Sequence, residues 1–177
     1  AISDVPLDNP AVIASGPTVP DPSTFEDALS LLRRFGISEP ASVIRHLEEA
    51  LDETPKPDGR LWRQQRYVLV ATPQKALEAA RNEALQQELN VIVLGDSLEG
   101  EARESARLHV GIARQIQRYA QPVEPPALIL SGGENSVTIK GSGKGGPNAE
   151  FMLAMLCELC GQPGIHALAC DTDGIDG

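Results

Sequence analysis

No apolar run in this sequence approaches the ~20 residues that a membrane span requires. The first residues show no charged segment leading into an apolar one, so neither a spanning helix nor a secretory leader is expected, and a cytoplasmic setting follows. Cysteine is scarce. Cys157, Cys160 and Cys170 are the three in 177 residues, an odd number with no secretion signal beside it, which argues against a disulfide framework. Basic residues are also in deficit, 15 Lys and Arg against 25 Asp and Glu, for a formal net charge of -10. Nucleic-acid binding depends on cations that neutralise phosphates, and without a basic stripe that class of partner drops out. The same negative field repels small anions. Any phosphate or carboxylate ligand must therefore be held locally, by backbone N–H groups, single cations or a metal.

What the sequence does contain is the composition of a folded protein, 41% hydrophobic and 23% charged residues, close to globular averages. Residues 1–22 are rich in Pro and Asp around one short apolar run, "AVIA", which reads as a short strand. Ser23 and Glu26 have capping-box spacing before an apolar-periodic helix that stops at Gly36, and a second helix is expected over 41–51. The charged stretch "DETPKPDGR" reads as a linker. Beyond it strand and helix patterns alternate: "RYVLVA", a helix opened by Thr72-Pro73, "NVIVLG", a helix over 101–119, then "ALIL" and "SVTIK" joined by a glycine turn as a hairpin, a helix from Asn148 to Leu159, and the strand "HALAC". The alternation predicts an α/β fold with βαβ winding. Residues 61–177 are expected to form a Rossmann-like layered α/β/α domain with a mixed sheet, preceded by the last part of another α/β domain in residues 1–60.

The chemistry concentrates in loops. "GSGKGGPNAEF" holds a formal G-x-G-x-x-G in Gly141, Gly143 and Gly146, the spacing of a dinucleotide loop. A hairpin before it and Pro147 directly after Gly146 are the wrong context for that fingerprint, and the order of a Walker loop is absent because Gly145 follows Lys144. What remains is a cradle of free N–H groups with one lysine at a helix N-terminus, suited to an anion. "DTDGIDG" places Asp171, Asp173 and Asp176 close together, a pattern that suits Mg²⁺ with water and phosphate oxygens. "CELC" falls inside a helix, so Cys157 and Cys160 are read as buried core thiols. His46, His109 and His166 stand singly in apolar surroundings without a nucleophile beside them. Both ends of the sequence look cut, so a longer parent protein is expected.

Four ordered segments, "ISDVPLDNPAVIASGPTVPDPSTFEDAL", "GDSLEGEARE", "LILSGGENSVTIKGSGKGGPNAEF" and "TDGIDG", resemble the type II glycerate kinases. This is the glycerate 2-kinase family that ends in a MOFRL domain, and many of its bacterial members are labelled hydroxypyruvate reductase of tartrate degradation. The resemblance spans essentially the whole chain. It implies transfer of the γ-phosphoryl group of MgATP to the 2-hydroxyl of D-glycerate, in a cleft between two α/β domains, with the ATP-side elements outside these residues and little or no activity in these residues alone. The matching positions assign Asp4 as base and Lys144 as catalytic cation. Ser131, Gly132, Gly133, Glu134, Gly145, Gly146, Asn148 and Glu150 would bind substrate, and Asp171 and Asp173 would orient a metal or the substrate. Many members read G-R-N-Q-E where this chain has Gly146, Pro147, Asn148, Ala149 and Glu150, so Pro147 replaces an arginine and Lys144 is the compensating charge, without arginine's bidentate fork. The expected partner is a small 2-hydroxy acid rather than a membrane or nucleic acid, and the reading is compatible with a homodimer. An NAD(P)H-dependent hydroxypyruvate reductase and a non-catalytic sugar-acid-binding domain are the alternatives.

Overall fold

A computed structural model of the chain describes residues 1–59, 62, 65–172 and 174–176. It divides into two compact units, one made of Ala1 and Asn9–Val68, the other of Ile2–Asp8 and Leu69–Gly177.

The first unit carries α1 (Phe25–Arg34) and α2 (Ala41–Glu49). Leu29 is buried on the inner face of α1, and Phe25 meets His46 of α2 edge-on with ring centroids 5.8 Å apart. The capping box of α1 is one residue later than the spacing of Ser23 and Glu26 suggests. The amide and hydroxyl of Ser23 both donate to Asp21 Oδ1, at 2.9 and 2.6 Å, so Thr24 caps the helix with Asp27 as its reciprocal partner. The short "AVIA" run is not a strand. Ile13–Ser15 forms a 3₁₀ turn in which Ala14 and Ser15 take left-handed backbone angles. The charged stretch read as a linker folds back onto this unit: Thr54 Oγ1 donates to Asp21 Oδ2 at 2.9 Å, the Phe25 amide donates to Glu53 Oε2 at 3.2 Å, and Lys56 pairs with Glu53 at 3.0 Å. Hydrogen bonds from Ser23 and Thr54 lower the pKa of Asp21, and those from Thr24 lower that of Asp27.

The second unit is α/β. Its order is α3 (Pro73–Gln86), β1 (Asn90–Val93), β2 (Leu98–Glu101), α4 (Ala102–Tyr119), β3 (Ala127–Leu130), β4 (Gly133–Ser136) and α5 (Pro147–Leu159). Thr72 caps α3 by accepting from the Lys75 amide at 3.2 Å, with Pro73 in the first turn where no amide proton is needed. Replacing Thr72 with alanine is expected to cost about 1 kcal/mol of stability, read as a lower urea midpoint; an unchanged midpoint would mean that the cap contributes nothing.

The strand pairing corrects the expected hairpin. β3 and β4 are consecutive yet do not pair with each other. β1 pairs with β3 in parallel, Asn90 opposite Ala127, and β2 pairs with β4 in parallel, Leu98 opposite Gly133. Between the two ladders, residues 94–97 on one side face only Ser131 and Gly132 on the other. The Leu94 amide donates to Leu130, the Gly132 amide to Gly95 and the Leu98 amide to Gly132, at 2.9, 2.8 and 3.0 Å, so pairing resumes across the bulge. "RYVLVA" contributes a single parallel bridge, Ala71 with Ile2. "SVTIK" yields strand only in Ser136, the last residue of β4, and "HALAC" holds no strand.

The core of this unit lies between α4 and α5. Ala106 and Val110 are fully buried with Met155, and Phe151, Ala154 and Leu159 pack around them. Ala102, Ala106, His109 and Val110 recur at helical spacing along one face of α4. The cysteines do not join this core: Cys157, Cys160 and Cys170 are all exposed free thiols, which corrects the buried reading. Among the described residues no helix is long and apolar enough to cross a membrane.

Candidate functional site

Parallel strands leave their carboxyl ends as the natural ligand-binding edge of an α/β unit. β3 ends at Leu130, and the next residues, Ser131 and Gly132, form the short side of the bulge. A pocket of about 200 Å³ opens here, lined on the strand side by Leu98, Ser131, Gly132, Gly133 and Asn135 and on the helix side by Ser105, His109, Asn148 and Phe151. The segment 168–170 closes its rim.

Polar groups in the pocket are linked to one another. His109 Nδ1 lies 2.7 Å from the Ser105 carbonyl oxygen, and its Nε2 lies 2.9 Å from Ser131 Oγ. Ser105 Oγ donates to Asn135 Oδ1 at 2.8 Å, tying α4 to β4. Phe151 stands edge-on to the His109 ring, with centroids 5.1 Å apart. Sequence reasoning set His109 aside because no nucleophile lies near it along the chain. Its hydroxyl partner is 22 residues away and arrives only through the strand–helix packing.

The glycine loop and helix α5 form the neighbouring feature. Gly146 is the N-cap of α5 and has no side chain to cap with. The cap comes instead from Asp176, which accepts from the amides of Gly146, Asn148 and Ala149 at 3.1, 2.9 and 2.7 Å and from Asn148 Nδ2 at 3.2 Å. The helix N-terminus where the sequence suggests an anion cradle thus holds a carboxylate of this same chain, and Lys144 takes no part in that contact. Burial acts to raise the Asp176 pKa, and the bonds from Ala149, Asn148 and Gly146 outweigh it, so the pKa lies below its ordinary 3.8. The dinucleotide fingerprint gains no support from this geometry: residues 137–140 before the loop are not strand, and the helix N-terminus is already engaged.

Of the other sequence candidates, Glu150 sits in a charge pair with Arg103, whose Nε is 3.4 Å from Glu150 Oε1. Arg103 also bridges to Glu101 at 3.0 Å, and Glu101 in turn accepts from the Thr138 amide and hydroxyl at 3.1 and 2.9 Å. Those Thr138 bonds lower the Glu101 pKa. Lys144 and Gly145 are exposed on the loop, and Lys144 has no hydrogen-bond or ion-pair partner among the described residues. Glu134 is exposed on β4. Asp4 is exposed in a segment tied down by the Ser3 amide, which donates to the Ala71 carbonyl at 2.9 Å. Asp171 is exposed at the end of the segment that rims the pocket, and Asp173 lies outside the described residues. Among the described residues, no group of three or more His, Cys, Asp or Glu could hold a metal ion. The structure thus brings Ser131, Gly132, Gly133 and Asn148 to one pocket, while Gly146 shares Asp176 with Asn148.

Residues 127–177 match the MOFRL family and residues 1–48 match a domain of unknown function, DUF4147. Over 99% of its length the chain is 49% identical to a protein of Agrobacterium vitis that carries a provisional hydroxypyruvate reductase name. Over the same share it is 38% identical to the D-glycerate 2-kinase of Thermotoga maritima. It covers 40% of each of these two proteins. The crystal structure of a glycerate kinase from Thermotoga maritima superposes on 93% of the chain with a TM-score of 0.74 at 37% identity, the chain covering 38% of that structure.

Proposed function

We propose that this chain, which joins a DUF4147 segment to a MOFRL segment, is part of a glycerate 2-kinase and supplies the acceptor side of its active site. The observation that carries this reading is the pocket at the carboxyl end of β3, where Ser131, Gly132, Gly133 and Asn148 of the kinase-like motifs converge with His109 and Asn135. Its volume of about 200 Å³ is below the usual range for drug-sized ligands and suits a three-carbon acid.

Phosphoryl transfer is largely positioning and charge neutralisation. Ser131 and Asn135 supply polar groups for the hydroxyl and carboxylate of D-glycerate. Lys144, exposed and unpaired among the described residues, is a cation for phosphate oxygens. Asp4, an exposed carboxylate, is the proton acceptor for the 2-hydroxyl on this reading. ATP is the donor. Mg²⁺ is its counter-ion. A small-molecule acid is the partner, in a cytoplasmic protein with homodimerisation as a further expectation. Residues 61–177 are taken as the C-terminal domain and residues 1–60 as the end of the preceding one.

The test is formation of 2-phosphoglycerate from D-glycerate and MgATP by the protein that carries this chain, with NADH oxidation in the presence of hydroxypyruvate as the contrasting assay. Kinase product with no NADH consumption is expected. NADH consumption without phosphorylated product would reject the kinase in favour of the reductase.

A further inference from the structure

One buried titratable side chain has no part in the scheme above. His109 is 8% exposed and reaches from α4 to the pocket wall. Its Nδ1 is 2.7 Å from the Ser105 carbonyl oxygen. A carbonyl can only accept, so Nδ1 carries the ring proton, and in neutral imidazole Nε2 is then a bare acceptor. Ser131 Oγ, 2.9 Å from Nε2, must therefore direct its only proton at the ring. What Ser131 presents to the pocket is lone pairs alone. The ring is held in this pose by Phe151, which meets it edge-on at an interplanar angle of 77° and packs on the Ala106, Val110 and Met155 core.

We infer that His109 is a positioning residue that fixes Ser131 as a hydrogen-bond acceptor, so that the pocket selects a ligand with a hydroxyl at that point, a 2-hydroxy acid over the corresponding 2-oxo acid. Asn135 completes the pattern. Its Oδ1 accepts from Ser105 Oγ at 2.8 Å, which leaves its amide N–H groups to donate to a carboxylate oxygen. A hydroxy acid offers one donor and one anionic acceptor and satisfies both groups. An oxo acid sets a carbonyl oxygen against the lone pairs of Ser131, an unpaired polar contact that lowers affinity. The ligand class rests on the glycerate reading, whereas the role of His109 rests on the ring geometry alone.

Histidine-ring ¹⁵N spectra of the chain test that role directly. The proton is expected on Nδ1, and Ser131→Ala is expected to move the Nε2 resonance much more than the Nδ1 resonance. A ring protonated on Nε2 overturns the inference. Calorimetry with D-glycerate and hydroxypyruvate then tests the consequence. The wild type is expected to favour D-glycerate by at least about tenfold, and His109→Phe, which frees the Ser131 proton to donate, to bring the ratio toward unity. An unchanged ratio in a folded His109→Phe chain overturns the inference as well. Should neither acid bind the wild type, the glycerate reading falls, and the ring tautomer still decides what His109 does.

Discussion

Replacing Gly133 with alanine is expected to destabilise the second unit severely, through a single added methyl group. Gly133 has φ of +139°, and a Cβ built on it would lie 2.0 Å from the Leu98 carbonyl oxygen and 2.3 Å from the Leu98 nitrogen. Neither atom is the end of a flexible side chain. Leu98 is the first residue of β2, opposite Gly133 in the parallel ladder, and its amide is already bonded to Gly132 at 3.0 Å. The methyl can be accommodated only by parting β2 from β4. Overpacking and forced positive φ together cost about 3 to 5 kcal/mol, a large part of the 5–15 kcal/mol that holds a typical domain. In a chain of this size the melting temperature should fall by roughly 10 °C or more. Circular dichroism melts of Gly133→Ala and the wild type would measure it, and a shift under about 2 °C would show that the ladder does not approach Gly133 this closely. Gly132 gives an internal contrast: its Cβ would meet Asp96 and Leu77 only at 3.6 Å, ordinary contact distance, so Gly132→Ala should be much milder.

That contrast bears on what the sequence could reveal. The helices were legible because their signals are local. Thr72-Pro73 opens α3, Pro147 opens α5, and the apolar period of 102–119 marks α4. The "SGG" turn misleads for the same reason. Locally, two apolar runs around glycines read as a hairpin, but β3 and β4 each find a partner some 35 residues earlier, in β1 and β2, and the glycines serve the bulge between the ladders. Strand partners are chosen by burial across the sheet, which periodicity along one segment does not encode. At α1 two overlapping capping patterns both fit the rule, and the choice was made by Asp21, which engages Ser23 first. Cys157 in α5 and Cys160 at its C-cap show the limit of composition: Met155 is buried against α4, while both thiols are exposed.

For the site, residue types were legible and pairings were not. Ser131, Gly132, Gly133 and Asn148 share a pocket because β3 and the start of α5 are neighbours in the fold. Glu150, expected to face an anionic substrate, is instead balanced by Arg103, and a carboxylate without that partner would repel any anionic ligand. The most informative omission is His109, an unremarkable histidine on an apolar helix face until the fold sets Ser131 beside its Nε2. Nothing within a turn of it in the sequence carries that signal.

The loop expected to hold an anionic ligand has a carboxylate of its own chain, Asp176, at its amides, a partner 30 residues from Gly146 that no local pattern marks. From this follow a stability effect and a pH dependence. A Cβ on Gly146 would fall 2.7 Å from the Asp176 carbonyl carbon and 2.8 Å from its Oδ1, so Gly146→Ala should expel the same carboxylate that Asp176→Asn neutralises. Each change should cost about 2 kcal/mol, the upper end for loss of a helix cap whose acceptor is charged. Because both remove one interaction, the double variant should lose little more than either alone, a coupling of about 1 to 2 kcal/mol in a double-mutant cycle. The sign of the pH effect follows from the depressed Asp176 pKa. A carboxyl that ionises more readily when folded stabilises the chain fully above its unfolded value near 3.8, and the contribution disappears as pH falls through the lower folded value. Urea unfolding of wild type and Asp176→Asn should therefore diverge at pH 7 and converge toward pH 3. A gap that stays constant across that range, or strictly additive costs for Gly146→Ala and Asp176→Asn, would mean that the carboxylate does not cap α5.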